Sequence, residues 1–206
     1  MDPYVVKRVP YMGSTRKTNL KTTSVSPAIR VIKYLLFSAT VIPSVVAGAM
    51  AWGQGRLAWP AFLLATFGLL LGQAGGDYLY YYFTHFRGEE RDAHTKIFAG
   101  WQPLFTGSWI RPEHTLVAGF ACLGIDLLIG AFFVSRLGFG IAPLVLAGGA
   151  VAIFFTPLML RGFKEPIVFI TFGPLCLMGV YYILVGQYDL EPLLVSFPVG
   201  FFITVV

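Results

Sequence analysis

Long apolar runs are the feature that most limits what this chain can fold into. Five runs are about 20 residues long, which is what a helix needs to cross a hydrocarbon core roughly 30 Å thick. They lie at about 31–52, 60–83, 115–135, 141–160 and 166–185, and a sixth starts near Leu193. None contains Lys or Arg after Lys33, and none alternates polar and apolar residues as a barrel strand does. The runs predict an all-α integral membrane protein with five full spans and a partial sixth.

Composition supports the same class. Hydrophobic residues make up 56% of the 206 residues and charged residues only 12%, which is too few charges for the surface of a water-soluble domain. Cys122 and Cys176 fall inside predicted spans without a metal-ligand or disulfide spacing. We therefore interpret both cysteines as packing residues.

The basic residues predict the orientation, because Lys and Arg are retained on the cytoplasmic side of a membrane. Of the 15 basic residues, seven precede or open the first run, four lie in the second connection and two in the fourth. Arg56 and Arg136 are the two on the other side. The N-terminus and the loop 84–114 are thus predicted to be cytoplasmic, with the plasma membrane of a prokaryote as the expected location.

The chain divides into two predicted parts. Residues 1–29 form a basic, Ser- and Thr-rich cytoplasmic tail that is predicted to be disordered, and residues 30–206 form the transmembrane domain. The net charge of +5 is mostly juxtamembrane, where anionic lipid attracts it. The charge therefore indicates membrane lipid as a partner and not nucleic acid.

Loop 84–114 is the long polar connection, and it mixes carboxylates, basic residues, histidines, aromatics and glycines. Such a mixture can bind a diphosphate through Arg and Lys, with a divalent cation bridging to Glu or Asp. A solvated interfacial loop is the alternative on these residues alone.

Polar residues inside the runs are further candidates, since intramembrane carboxylates are expensive and often functional. Asp77 lies in the second run and shares a helical face with Tyr81 and the loop, although capping a neighbouring helix is an alternative. Tyr81 and Tyr82 would line a lipid pocket or belong to an interfacial aromatic belt. We expect Asp126, in the third run, to pair with another polar group in a structural role, although the sequence does not show which group.

Two stretches of the chain resemble the UbiA superfamily of intramembrane prenyltransferases. GGDYLYYYFTHFRG looks like the end of that family's second helix, and FTPLMLRGFKEPIVFITFGPLCLMGVYYILVG is similar to a later stretch of its menaquinone-type branch. The proline-containing first run fits the same branch. The resemblance spans roughly residues 30–206.

The resemblance implies a helix bundle around a cavity and transfer of a polyprenyl group from its diphosphate to an aromatic acceptor such as 1,4-dihydroxy-2-naphthoate, in menaquinone biosynthesis. It implies Mg²⁺ as the cofactor. Carried onto this sequence, the metal-binding candidates are Asp77, Glu90 and Asp92. The diphosphate-binding candidates are Arg87, Arg91, Lys96 and Arg161, the pocket candidates are Tyr81 and Tyr82, and no catalytic residue is assigned.

The chain departs from the family at the metal-binding positions. The first aspartate-rich motif of the family is replaced by Tyr80, Tyr81 and Thr84, none of which is an ionised carboxylate at neutral pH. The second such motif would follow the end of the sixth run, so the chain is expected to be short at its C-terminus. The alternative function is therefore a non-catalytic protein on the same scaffold, which binds a prenyl lipid, a quinone or the helices of a partner or second copy. A transporter is a more distant alternative, resting on Asp77 and Asp126.

Overall fold

The computed structural model describes residues 27–87 and 112–205, and every regular element in these ranges is a helix. The helices are α1 (Pro27–Gly53), α2 (Trp59–Arg87), α3 (Pro112–Leu137), α4 (Ala142–Leu160), α5 (Lys164–Ile170), α6 (Cys176–Val185) and α7 (Leu190–Val205). A π-helical turn, Thr171–Leu175, joins α5 to α6 without a break. The predicted all-α class is confirmed for the described residues.

Three stretches of the described chain are long and apolar enough to cross a membrane: Trp59–Tyr80, His114–Leu137 and Lys164–Val185. Ala39–Gly53, Ala142–Phe155 and Leu190–Val205 are shorter apolar helices. Large apolar side chains also face outward, as at Leu128 and Leu146, which are 70% and 71% exposed. Such a surface is compatible with an integral membrane protein. Five full spans and a cytoplasmic N-terminus stay predictions.

The π-helical turn has a local cause in Pro174. Proline has no N–H to donate, so the helix hydrogen-bond ladder is interrupted where it occurs, and a wider turn accommodates the break. The Thr171 hydroxyl also donates to the carbonyl of Ile167 at 2.6 Å. The chain therefore stays helical through a proline, as is common in membrane helices.

Helices α2 and α3 pack closely in antiparallel fashion. A Cβ atom at Gly75 would lie 3.1 Å from the carbonyl oxygen of Gly119, and one at Gly119 would lie 3.2 Å from side-chain atoms of Tyr78 and Leu79. Small residues at such crossings let helix backbones approach, which is how helices associate where lipid removes the hydrophobic driving force. Glycines thus set the distance between the two helices that carry Asp77 and Asp126.

The best-buried core lies toward one end of the bundle. It joins small residues of α1, Ala47 and Ala51, to Leu177, Val180 and Tyr181 of α6, all 0% or 1% exposed. Gly186, in the left-handed conformation with φ 81°, ends α6 at this end. We call this the core end. The opposite end, where α2 meets the long loop, we call the loop end.

Two predicted regions fall largely outside the described residues. The tail 1–29 is described only from Pro27, where α1 begins. The loop 84–114 is described only where it overlaps the end of α2 and the start of α3. The rest of the predicted tail and the rest of the predicted loop lie outside the described residues.

Candidate functional site

A cavity of about 420 Å³ lies among α2, α3, α4, the π-helical turn and α6, with Thr40 of α1 at its edge. Its walls are mostly aliphatic and aromatic side chains and glycines. The polar residues that line it are Thr40, Gln73, Asp77, Asp126, Thr171 and Cys176. The size falls within the range of about 300–1,000 Å³ typical of small-molecule sites. An apolar cavity with a few polar groups inside apolar helices is suited to a hydrophobic ligand.

Asp126 lies near the middle of the apolar stretch His114–Leu137 and is partly buried. Its carboxylate rests against the glycine face of α2: a Cβ atom at Gly72 would lie 2.7 Å from Oδ2, and one at Gly68 would lie 3.2 Å from Oδ1. The carboxylate has no hydrogen-bond or ion-pair partner among the described residues. The structural pairing expected for Asp126 is therefore not found among the described residues. The side chain lines the cavity instead.

Asp77 lines the same cavity from α2, closer to the loop end. It too has no hydrogen-bond partner in the described part of the chain. The sequence places both carboxylates inside apolar runs but gives no sign that they meet. Antiparallel packing of α2 on α3 brings them to one cavity.

A hydrogen bond closes the cavity toward α1. The Thr40 hydroxyl donates to Oε1 of Gln73, and the Ser44 hydroxyl donates to the Thr40 carbonyl at 2.8 Å. Thr40 and Ser44 are 1% and 0% exposed. Separating α1 from α2 would leave these buried polar groups without partners, which is costly. The bond between Thr40 and Gln73 therefore holds α1 against α2 beside the two carboxylates.

The remaining predicted site residues are not assembled around this cavity. Arg161 is exposed at the C-terminal end of α4 and does not line it. Tyr82 does not line it either, and its ring packs edge-on against Phe83 with the centroids 5.5 Å apart. Glu90, Arg91, Asp92 and Lys96, and the side chains of Tyr81 and Arg87, lie outside the described residues.

The predicted Mg²⁺ site is not assembled by the described residues. They contain no group of three His, Cys, Asp or Glu side chains placed to hold a metal ion. Of the three predicted ligands, Asp77 is the one that the structure describes. The described cavity thus supplies two carboxylates and no complete metal site.

Of the six polar residues of the cavity, sequence reasoning named Asp77 as a candidate site residue but not the other five, which are Thr40, Gln73, Asp126, Thr171 and Cys176. The available signal was the spacing of Gly68, Gly72 and Gly76, which recur every four residues on one face of α2. Such a stripe indicates close approach of another group. It does not tell which helix or side chain approaches.

A second polar cluster lies at the core end. The Gln54 side chain donates to the Tyr181 hydroxyl at 2.8 Å, and that hydroxyl donates to the carboxylate of Asp189. The bond from Tyr181 holds the pKa of Asp189 below its ordinary value, and a bond from Gln187 and the charge of Arg56 act in the same direction. Arg56 also donates to the Val185 carbonyl at 3.0 Å. The cluster fastens the α1–α2 turn to the α6–α7 turn.

A second groove adjoins the cavity between α4, the π-helical turn and α7, with a volume of about 460 Å³. Leu144 and Leu175 line both spaces. Two leucine side chains therefore stand between the groove and the cavity.

Comparisons with protein-family models, curated proteins and solved structures found no match for this chain.

Proposed function

We propose that this chain is a UbiA-like integral membrane protein that holds the hydrocarbon tail of a polyprenyl diphosphate in its cavity for transfer to an aromatic acceptor, such as 1,4-dihydroxy-2-naphthoate. The observation that carries the proposal is the cavity itself, which is apolar, about 420 Å³ in volume and lined by apolar helices. A prenyl tail gains free energy from leaving polar surroundings for such walls.

The polar parts of the substrate would lie at the loop end, which we propose to be cytoplasmic. Arg161 and Lys164, at the connection between α4 and α5, are on this side of the bundle because α4 runs antiparallel to α6. The basic residues of loop 84–114 that follow α2 in the sequence lie outside the described residues. Diphosphate is recognised by such groups through charge-assisted hydrogen bonds.

In the proposed reaction the allylic carbon–oxygen bond breaks and diphosphate leaves, while a carbon–carbon bond forms to the acceptor ring, which loses a proton. The cavity would keep water from the allylic centre, and its aromatic walls would stabilise positive charge there. Mg²⁺ would neutralise the leaving diphosphate when bound. The proposal rests on the cavity and the sequence resemblance, and not on a metal site.

The second candidate is a non-catalytic protein that binds a prenyl lipid or quinone, or packs against a partner. The substituted aspartate-rich motif favours it. The enzyme and the lipid-binding form of the second candidate both need the cavity to accept a prenyl chain, and these two differ in whether a bond is made.

One experiment separates them. The purified chain in lipid nanodiscs is exposed to a photoreactive polyprenyl diphosphate, with Mg²⁺ and the acceptor, and both crosslinks and prenylated product are measured by mass spectrometry. Crosslinks to α2, α3 and α6 with product support the enzyme, and product formation should be lost in Glu90→Ala and Asp77→Asn. Crosslinks without product support the binding protein, and no crosslink in the cavity overturns both.

Gly149→Leu is the matched variant for this test. Gly149 lines the cavity, and a Cβ atom there meets nothing within 4 Å, so a leucine would extend into the empty space. Gly53→Leu adds the same side chain at the end of α1, away from the cavity and also without close neighbours. We expect crosslinking to fall in the first variant and to persist in the second.

A further inference from the structure

Within the part of the chain that the structure describes, the two carboxylates of the cavity have no positive counterpart. Asp77 and Asp126 both line it, and the described residues around it include no Lys, Arg or His. A carboxylate removed from water is costly unless a cation or hydrogen-bond donors compensate it. Here the described protein supplies neither to Asp126, whose electrostatic neighbour is the neutral thiol of Cys176.

The position of Asp126 is set by shape. Gly72 leaves room for the carboxylate, because a Cβ atom there would lie 2.7 Å from Oδ2 and 3.4 Å from Cγ. Nearby positions on the cavity wall are open: a Cβ atom at Gly76 or Gly124 would meet nothing within 4 Å. The carboxylate is thus seated against α2 by a steric notch, with free space in the cavity and no donor to its oxygens among residues 27–87 and 112–205.

The remaining residues of the cavity wall determine which apolar part of a ligand fits. Phe120, Phe133, Phe155 and Phe172 line the cavity together with leucine, isoleucine and valine side chains. Such a wall favours a hydrocarbon chain, and aromatic faces also attract a cation. An ammonium group carried into the cavity on a hydrocarbon chain would compensate the carboxylates, whereas an alcohol would leave their charge in place.

We propose that the cavity is a binding site for an amine with a hydrocarbon chain, whose ammonium group is held by Asp126, while Asp77 adds negative charge to the same cavity. The site depends on the cavity and its two acids and not on prenyl transfer. A hydrogen bond between charged groups is worth more than one between neutral groups, so the amine should bind roughly tenfold or more tightly than the matching alcohol.

The test compares two probes that differ only at the head group. Diazirine-bearing dodecylamine and dodecanol are crosslinked to the full chain in nanodiscs of neutral lipid, and labelled residues are counted by mass spectrometry over a range of probe concentrations. We expect the amine to label the cavity walls at about one tenth of the alcohol concentration, at neutral pH. Equal labelling by both probes, or amine labelling confined to the outer surface, overturns the proposal.

Two variants assign the preference to the carboxylate. Asp126→Asn keeps the shape of the side chain but removes its charge, so the amine should lose its advantage while alcohol labelling of the cavity persists and shows that the fold is intact. Gly72→Ala should displace the carboxylate and weaken amine binding, whereas Gly76→Ala, four residues away on α2, should retain the preference. An amine preference that survives Asp126→Asn overturns the assignment.

This outcome is separate from that of the prenyl experiment. A protein that labels with polyprenyl diphosphate but shows no amine preference would retain the proposed function and lose this inference. A protein with an amine preference and no prenyl labelling would do the reverse.

Discussion

Replacing Gly173 by alanine should destabilise the bundle, because this residue lies where the π-helical turn crosses α7. A Cβ atom at Gly173 would lie 2.8 Å from the carbonyl oxygen of Ser196 and 2.9 Å from the Cα atom of Gly200. Both neighbours are backbone atoms of α7, so no side chain can rotate away. The two helices would have to separate by about 0.6 Å to restore ordinary contact.

The size of the effect follows from two opposing terms. Forcing an extra carbon into a packed contact costs about 1–3 kcal/mol, and replacing glycine by alanine in a helix gains up to about 1 kcal/mol. Gly179 provides the control, since it lies in α6, the continuation of the same helix, and a Cβ atom there meets nothing within 4 Å. The helix-propensity gain is shared by both variants, so Gly173→Ala should be less stable than Gly179→Ala by about 1–3 kcal/mol.

The measurement is the free energy of unfolding in mixed micelles, followed by near-ultraviolet circular dichroism as the fraction of denaturing detergent rises. Gly200→Ala tests the same crossing from α7, because its Cβ atom would lie 2.9 Å from the Phe169 carbonyl oxygen and 3.1 Å from the Cα atom of Gly173. It should be destabilised similarly. If Gly173→Ala proves as stable as Gly179→Ala, the close crossing is not present and the reasoning fails.

Three further predictions concern the ends of the bundle. Gly140→Ala would place a methyl group on the Tyr182 hydroxyl, so it should lower the midpoint of thermal unfolding, and adding Tyr182→Phe should recover part of the loss; no recovery would exclude this clash as the cause. The pKa of Asp189 is lower in the folded protein than in the unfolded chain, where it is about 3.9. The ionised carboxylate therefore stabilises the fold at pH values above the unfolded pKa, and this stabilisation is lost as the pH falls through the folded pKa. Asp189→Asn should therefore flatten the acid side of a plot of unfolding free energy against pH, and an unchanged slope would contradict the bond from Tyr181. In a background without native cysteines, Arg161→Cys should react with an impermeant thiol reagent from the cytoplasmic side and Arg56→Cys from the other side; the reverse pattern would invert the proposed orientation.

The sequence was sufficient to predict the class of fold. In lipid, an apolar run of membrane-spanning length can satisfy its backbone hydrogen bonds within the segment by forming a helix. Helices occur at all six predicted places. The same argument selects Asp77 as a residue of interest, because a carboxylate inside an apolar run stands out in one dimension. It lines the cavity, as a functional candidate would.

Asp126 shows where that reasoning stops. Whether Asp126 is a candidate site residue depends on what surrounds it. Its neighbours are Gly68 and Gly72, more than 50 positions away along the chain. Hydropathy records that a residue is inside a span but not which way it faces. Only the packing of α2 against α3 decides that the two acids share one cavity.

The chain's helical, membrane-compatible character is therefore determined by the sequence itself, since hydrogen bonding and hydropathy act on each segment separately. The tertiary structure alone decided the cavity, the notch that seats Asp126, and the crossing at Gly173. These features arise from contacts between segments distant in sequence, where the absence of a Cβ atom matters as much as any side chain.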